Sequence, residues 1–284
     1  MKIAVIGIGL IGGSLAKELK KQYPQATFLG IDHDAKHLEI AIAQGTVDQA
    51  ATLADIDKVD RVILSVPVKA SVALLPQLLD RISENCLVWD VGSTKQSICE
   101  AVAAHPKREQ FLAAHPIAGT ENSGPEAALL DLFEGKPQIL CEAKKTRADL
   151  LDWAKKSFRQ MGMYLRFMEP KEHDKHMAYV SHLSHISSFM LGKTVLERED
   201  DEQNIFDLAG SGFESTVRLA KSSPEMWLSI FEDNKAPILD ILTAYIENLE
   251  NFRKQLEEGA YTDLYNQLKN TNQLKTILNG IKPN

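Results

Sequence analysis

The most constraining feature of the chain lies at its start. "KIAVIG" (residues 2–7) is almost continuously apolar and ends on glycine, and "GIGLIGGS" then sets Gly7, Gly9 and Gly12 in G-x-G-x-x-G spacing. The overlapping stretch "LIGGSLAKELKKQ" (10–22) is helical in composition. A strand that is apolar on both faces belongs inside a parallel sheet covered by helices on each side. Parallel neighbours need a crossover, so a chain that begins this way must go on alternating strands with helices.

It does so as far as residue 168. "ATFLGID" (26–32), "DRVILSVP" (60–67), "CLVWDVG" (86–92), 111–114, "PQILC" (137–141) and "MYLRFM" (163–168) read as strands, with helices predicted over 69–81, 95–103 and 146–160. The pattern predicts a doubly wound Rossmann-type α/β domain with a parallel sheet over residues 1–168. From Glu169 onward strand runs vanish and helical spacing takes over in 170–198, 203–222, 224–256 and 260–279. Pro170 and Pro224 suit a first helical position, the latter behind Ser223 as a cap. An all-α C-terminal domain is expected over 169–284. "EREDDEQ" (197–203) reads as a solvated turn between helices.

Net charge is −7 and no long basic run occurs, which argues against nucleic acid or an anionic membrane as the main partner. No apolar run is long enough to span a bilayer. Residues 2–6 already read as a strand, so no leader peptide is expected, and a cytoplasmic location is. Cys86, Cys99 and Cys141 are far apart and form no CxxC, so neither a disulfide framework nor a metal site is expected.

In the opening motif the first glycine permits a tight turn, the second lets backbone approach a pyrophosphate, and the third lets helix and strand pack closely. The diphosphate then sits on the helix N-terminus. Gly7, Gly9, Leu10, Ile11 and Gly12 are therefore candidate dinucleotide-binding residues. The next strand ends on Asp32, where a carboxylate accepts hydrogen bonds from the adenosine ribose and repels a 2′-phosphate. No Arg follows it directly; His33 and Asp34 come next. NAD rather than NADP is predicted. The plainer alternative is a βα turn with no ligand.

Ligands of such a sheet lie at the C-terminal ends of its strands. Three of those ends carry special residues. Ser65 and Pro67 close one and join the cofactor set. Ser93 lies in "DVGSTKQS" (90–97), and His115 opens "HPIAGTENSG" (115–124). Ser93 and His115 are placed to meet over a nicotinamide, where an imidazole takes a proton from an alcohol while hydride leaves the same carbon. An imidazole pKa of about 6.5 suits that work near neutrality.

"HPIAGTENSG", "DVGSTK", "SHLSH" (181–185) and "VRLAKSSPEMW" (217–227) together resemble the prephenate dehydrogenase family, with arogenate dehydrogenases as close relatives, over essentially the whole chain. The resemblance implies an N-terminal nucleotide domain, a helical domain that makes a homodimer, and oxidative decarboxylation of prephenate to 4-hydroxyphenylpyruvate with NAD, in tyrosine biosynthesis. It also implies site roles. His115 acts as base, Ser93 orients it, and Arg218 holds a substrate carboxylate, a contact that suits a guanidinium. Thr120 and Glu121 join the substrate-binding set. His182 and His185 face the cleft, the latter favouring prephenate's keto side chain, and Trp227 reaches toward the neighbouring active site. Many relatives read Asp-x-Thr-Arg where this chain has Ser215-Thr216-Val217-Arg218, so an ionic latch would have to use Glu214 or Glu121 instead. No appended regulatory or mutase domain is expected.

His173, His176, His182 and His185 invite a metal reading. On a straight helix at about 100° per residue, the first two share a face and the last two share nearly the opposite one, so one ion cannot collect all four and no zinc site is expected. The same wheel turns His173 away from the cleft, toward a structural role. Long apolar-rich helices such as 224–250 carry more hydrophobic positions than a thin layer over the sheet can bury, which favours a partner subunit. Rival readings are an arogenate dehydrogenase, a β-hydroxyacid dehydrogenase or imine reductase, and a non-catalytic NAD-binding regulator. The hydroxyacid group would want Lys followed by Asn one helical turn on, whereas Lys171 and Lys175 are followed at that spacing by Lys175 and Tyr179. A regulator would not need Ser93, His115 and Arg218 together.

Overall fold

The structure is a computed structural model that describes residues 1–199 and 204–280. An eight-stranded sheet in the order β3-β2-β1-β4-β5-β6-β7-β8 forms the N-terminal half. Its strands are β1 (Lys2–Ile6), β2 (Thr27–Ile31), β3 (Gln49–Ala50), β4 (Arg61–Leu64), β5 (Leu87–Asp90), β6 (Phe111–Pro116), β7 (Pro137–Cys141) and β8 (Tyr164–Met168). The first six run parallel. The wholly parallel expectation fails at β7, which pairs antiparallel to β6, with His115 opposite Ile139, and carries β8 with it. No α-helix separates β6 from β7, only a 3₁₀ turn at Pro125–Ala127; the chain returns through the loop from Ile117, so the strand enters from the opposite end.

Alternate residues of the strands other than β3 feed two cores, one on each face. Ile3 and Val5 of β1 pack with Leu15 and Leu19 of α1 (Leu10–Gln22) and with Phe158 of α5 (Ala148–Gln160). Ala4 and Ile6 pack on the other face with Leu75 and Leu79 of α3 (Val68–Arg81) and Ile98 of α4 (Gln96–Ala101). The sequence reading missed the short strand β3 and also α2 (Ala35–Ala43), whose N-terminus is capped by the Asp34 carboxylate accepting from Lys36 N–H.

Beyond Met168 the chain is helical. α6 (Pro170–Met177), a π turn over Ala178–His182 and α7 (Leu183–Glu199) form one rod across the expected 170–198. The expected helix over 203–222 is shorter, with α8 (Ser211–Val217) between 3₁₀ turns at Ile205–Leu208 and Arg218–Lys221. Residues 200–203 of the charge run lie outside the described residues. Ser223 does cap α9 (Pro224–Asp233), its hydroxyl accepting from Met226 N–H. The expected single helix over 224–256 breaks at Asn234, with α10 (Lys235–Glu257) following. Asn234 donates its side-chain amide to the Asp174 carbonyl and to His182, which fixes its position between the two helices. α11 (Tyr261–Thr271) and α12 (Leu274–Gly280) complete the described chain. Among the described residues no helix is long and apolar enough to cross a membrane.

Candidate active site

A cavity of about 600 Å³ opens where the C-terminal ends of β1, β4, β5 and β6 meet the helical half. Its floor on the sheet side is the opening glycine turn. Gly7 has φ +86°, a left-handed conformation that suits glycine, and a Cβ there would lie 2.2 Å from the Ser65 carbonyl oxygen. A Cβ on Gly12 would lie 2.2 Å from the Gly7 oxygen, so α1 approaches the turn only because that carbon is absent. Gly9 differs, since nothing lies within 4 Å of where its Cβ would be. The N-terminus of α1 carries no side-chain cap, so its first N–H groups are free, and Gly9, Leu10 and Ile11 line the cavity beside them. Open space against uncapped N–H groups suits an anionic diphosphate. Ser65 and Pro67 line the same cavity, while Gly7 and Gly12 lie beneath it as structural supports.

Asp32 stands outside the cavity, just past the end of β2. One carboxylate oxygen accepts from Ile8 N–H (2.8 Å) and the other from Asp34 N–H (3.0 Å). His33 and His37 lie 3.1 and 3.6 Å from the latter oxygen. This carboxylate therefore braces the glycine turn.

His115 projects from the end of β6 and is 7% exposed. Its Nδ1 lies 2.9 Å from Nε2 of His173, leaving Nε2 as the nitrogen without a protein partner among the described residues. Burial pushes its pKa well below the ordinary imidazole value, and neighbouring His173, Lys95 and His182 add to the shift. The value near 6.5 assumed from sequence is thus corrected downward, because the ring is dry. Ser93 lines the same cavity, but no hydrogen bond joins it to His115; the partner that orients the imidazole is His173.

His173 was expected to turn away from the cleft. The π turn explains why it does not. One extra residue in the helix reduces the angle between His173 and His182 from about 180° to about 80°, and both rings are fully buried. His176, by contrast, is exposed. His173 Nδ1 lies 2.7 Å from Asp174 Oδ1, and that carboxylate also accepts from the backbone N–H groups of Lys95 (2.7 Å) and Gln96 (2.8 Å). Beneath them Asp90 pairs with the fully buried Lys95 ammonium and accepts from Gly92 and Ala114 N–H. Sequence reasoning gave His173 a structural role and missed Asp174, Asp90, Lys95 and Asn234. The adjacent His-Asp in "EHDKHM" and the flanks of "DVGSTK" were the available signals.

The helical wall brings in Arg218, His185 and Trp227. Arg218 is half exposed and pairs with Glu121 at 3.2 Å, so Glu121, not Glu214, is its partner. Thr120 lies on the same loop and lines the cavity. His185 stacks on Trp227 with ring centroids 3.7 Å apart, and its Nδ1 lies 3.0 Å from the Ser181 carbonyl oxygen. Trp227 thus lines its own chain's cavity, where α9 sets its ring on the rod that carries His185. His182 does not face the cavity as expected. It is fully buried, bonded through Nδ1 to Asn234, and burial lowers its pKa to about 4. No cluster of His, Cys, Asp or Glu among the described residues could hold a metal ion.

Residues 15–166 match the family model described as prephenate dehydrogenase, nucleotide-binding domain, and residues 169–270 match prephenate dehydrogenase, dimerization domain. The chain is 32% identical over 275 residues to prephenate dehydrogenase of Bacillus subtilis, covering 94% of this chain and 73% of that protein. Its structure is similar to prephenate dehydrogenase from Aquifex aeolicus in complex with hydroxyphenyl propionate and NAD+, at TM-score 0.88 and 30% identity over 98% of each chain. Synechocystis arogenate dehydrogenase is similar at TM-score 0.75 and 26% identity, over 98% of this chain and all of that one.

Proposed function

The chain belongs to the prephenate dehydrogenase family, and on that premise we propose how its residues divide the work. The enzyme is an NAD-dependent oxidoreductase that converts prephenate to 4-hydroxyphenylpyruvate, carbon dioxide and NADH in tyrosine biosynthesis. NAD, when bound, supplies the hydride acceptor. The open glycine turn and uncapped start of α1 suit its diphosphate, and Asp32 suits its adenosine ribose.

Prephenate is a non-aromatic cyclohexadienol with a carboxylate opposite the hydroxyl. Loss of hydride from the carbinol carbon makes a dienone, which takes up the electron pair released when that carboxylate leaves as carbon dioxide. Aromatisation drives the step. The protein has to hold the alcohol, accept its proton and grip the carboxylates. Nε2 of His115 takes the hydroxyl proton, and Ser93 contacts the same hydroxyl. Arg218 receives a substrate carboxylate, which replaces Glu121 on the guanidinium. Thr120 and the stacked His185–Trp227 pair line the substrate half, while His182 supports that wall from behind. The division at 168/169 separates nucleotide from substrate halves. The helical half forms a homodimer, and the enzyme works in the cytoplasm.

The observation that carries this reading is a buried imidazole whose Nε2 has no partner among the described residues, in the same cavity as the glycine turn and Arg218. A second reading is arogenate, which bears an ammonium where prephenate bears a keto oxygen. His185 donates Nδ1–H to Ser181, so its neutral ring offers a lone pair at Nε2, which suits an ammonium. Absorbance of NADH on mixing protein and NAD with each substrate tests both. Turnover is expected with prephenate at the higher kcat/KM. Silence with both under conditions where NAD binds would overturn the enzyme reading.

A further inference from the structure

His115 serves as a base only if the nitrogen facing the cavity carries a lone pair, and a neutral imidazole has two tautomers, one of which fails. The groups behind it decide which is present. Asp174 accepts from two backbone N–H groups and, as a carboxylate, has no hydrogen to give. His173 Nδ1, 2.7 Å away, must therefore be the protonated nitrogen and the donor. Burial keeps His173 below the ordinary imidazole range, so its ring is neutral and its Nε2 has a lone pair. His115 Nδ1, 2.9 Å from that lone pair, must in turn carry its own hydrogen. Its Nε2 is left as an acceptor.

We propose that Asp174 and His173 are positioning residues that hold His115 in its base-competent tautomer. The proposal rests on the reading of His115 as base. Asp174 acts as the third group of a nucleophile–base–orienter triad does, but through one intervening imidazole. The pair does not conduct the proton away. His173 has no exposed surface and Asp174 is 4% exposed, so the chain of hydrogen bonds ends inside the protein. Nor does the reaction need an exit. Hydride leaves the carbinol carbon, the ring carboxylate leaves as carbon dioxide with its bonding pair entering the ring, and the hydroxyl proton held on His115 returns to the same oxygen as the phenol forms. No net proton is released.

Asp174 also ties α6 to the start of α4, so the test must separate orientation from scaffolding. Protein labelled with ¹⁵N-histidine, with His115→Asn used to assign the signal, reports the tautomer directly. The wild type is expected to show His115 protonated at Nδ1. Asp174→Asn reverses both rings and leaves Nε2 protonated where its amide N–H₂ faces His173 with Oδ1 on Gln96 N–H, and the ¹⁵N signal reports whether it does so. Its kcat should fall by about 10²–10⁴-fold with NAD affinity unchanged, the scale seen when a triad aspartate is replaced in this way. His173→Gln, which keeps an acceptor near Nε2, should retain kcat within about tenfold, while His173→Leu should lose about 10²-fold or more. If Asp174→Asn does not fold, the two His173 variants decide the matter. A wild-type His115 protonated at Nε2, a folded Asp174→Asn whose His115 is protonated at Nε2 and whose kcat is near normal, or equal activity of the Gln and Leu variants would each overturn the proposal. Wild-type protein that turns over no prephenate would instead refute the assigned reaction and leave the tautomer measurement standing.

Discussion

At the residue scale the dry setting of His115 has a measurable consequence. A base must be neutral to act, so activity falls as pH drops through its pKa. Burial moves that pKa well below the ordinary imidazole value, so the acid limb moves to lower pH. The kcat/KM profile for prephenate should therefore keep more than half of its plateau at about pH 6.5, where a solvated imidazole would already be half protonated. His115→Asn should remove that limb and lower kcat by about 10²–10⁴-fold with NAD affinity intact. A limb centred at or above 6.5 in the wild type would mean that the titrating group is solvated and is not this ring. His115 was legible in the sequence because it ends an apolar strand and is followed by Pro116 and a small-residue loop. Its partner was not. His173 lies 58 residues away on another element, and contact between them depends on how a helix docks on a sheet, which no local pattern records. Arg218 was legible only through the surrounding family motif; as an isolated arginine on a helix it would have read as a surface ion pair.

At the scale of elements the opening strand and glycine turn were readable because each position obeys a local rule, while the departures came from non-local ones. A π turn cannot be seen in hydrophobic spacing, and a single inserted residue re-aims every side chain beyond it; that is why His173 and His182 share a buried face. The reversal of β7 likewise depends on the loop after β6 and not on the composition of "PQILC". Asn234 breaks a continuous apolar pattern because its amide is used by Asp174 and His182. The glycine turn offers a test that separates fold from cofactor binding. Gly12→Ala would set a methyl 2.2 Å from the Gly7 oxygen, so α1 must shift, at a cost of about 1–3 kcal/mol typical of overpacking. Its Tm and NAD affinity should fall together. Gly9→Ala meets nothing within 4 Å, so its stability should change by no more than about 0.5 kcal/mol. Its methyl would nevertheless project into the space suited to the diphosphate, and NAD binding should weaken at unchanged Tm. Calorimetric titration beside thermal unfolding reads both; equal NAD affinity in Gly9→Ala and wild type would move the cofactor elsewhere.

At the scale of the whole molecule the two halves bury their surfaces differently. The sheet sits between two cores of fully covered side chains. In α10, by contrast, Ile238 is the buried residue, whereas Leu239, Ile246, Leu249 and Leu256 are about half exposed. Their spacings of seven, three and seven place these four on one stripe of the helix, the pattern of a seam that faces another helix. Tyr261, Tyr265 and Leu268 extend the exposed apolar surface along α11. Each fully buried leucine or isoleucine contributes about 1.5–3 kcal/mol, and a symmetric interface uses every contact twice. The four are already half buried, so docking gains roughly half of that at each, on the order of 6–12 kcal/mol over the eight side chains of two copies, comparable with the cost of association of about 4–15 kcal/mol. The prediction is that light scattering finds twice the chain mass at micromolar concentration. Ile246→Glu together with Leu249→Glu would place four carboxylates in that seam, and burying unpaired charge is expensive. The doubly substituted protein should run as a monomer and keep NAD binding, since the glycine turn lies on the other half of the chain. If it remained dimeric, α10 would not be the seam, and the exposed stripe would need a different occupant.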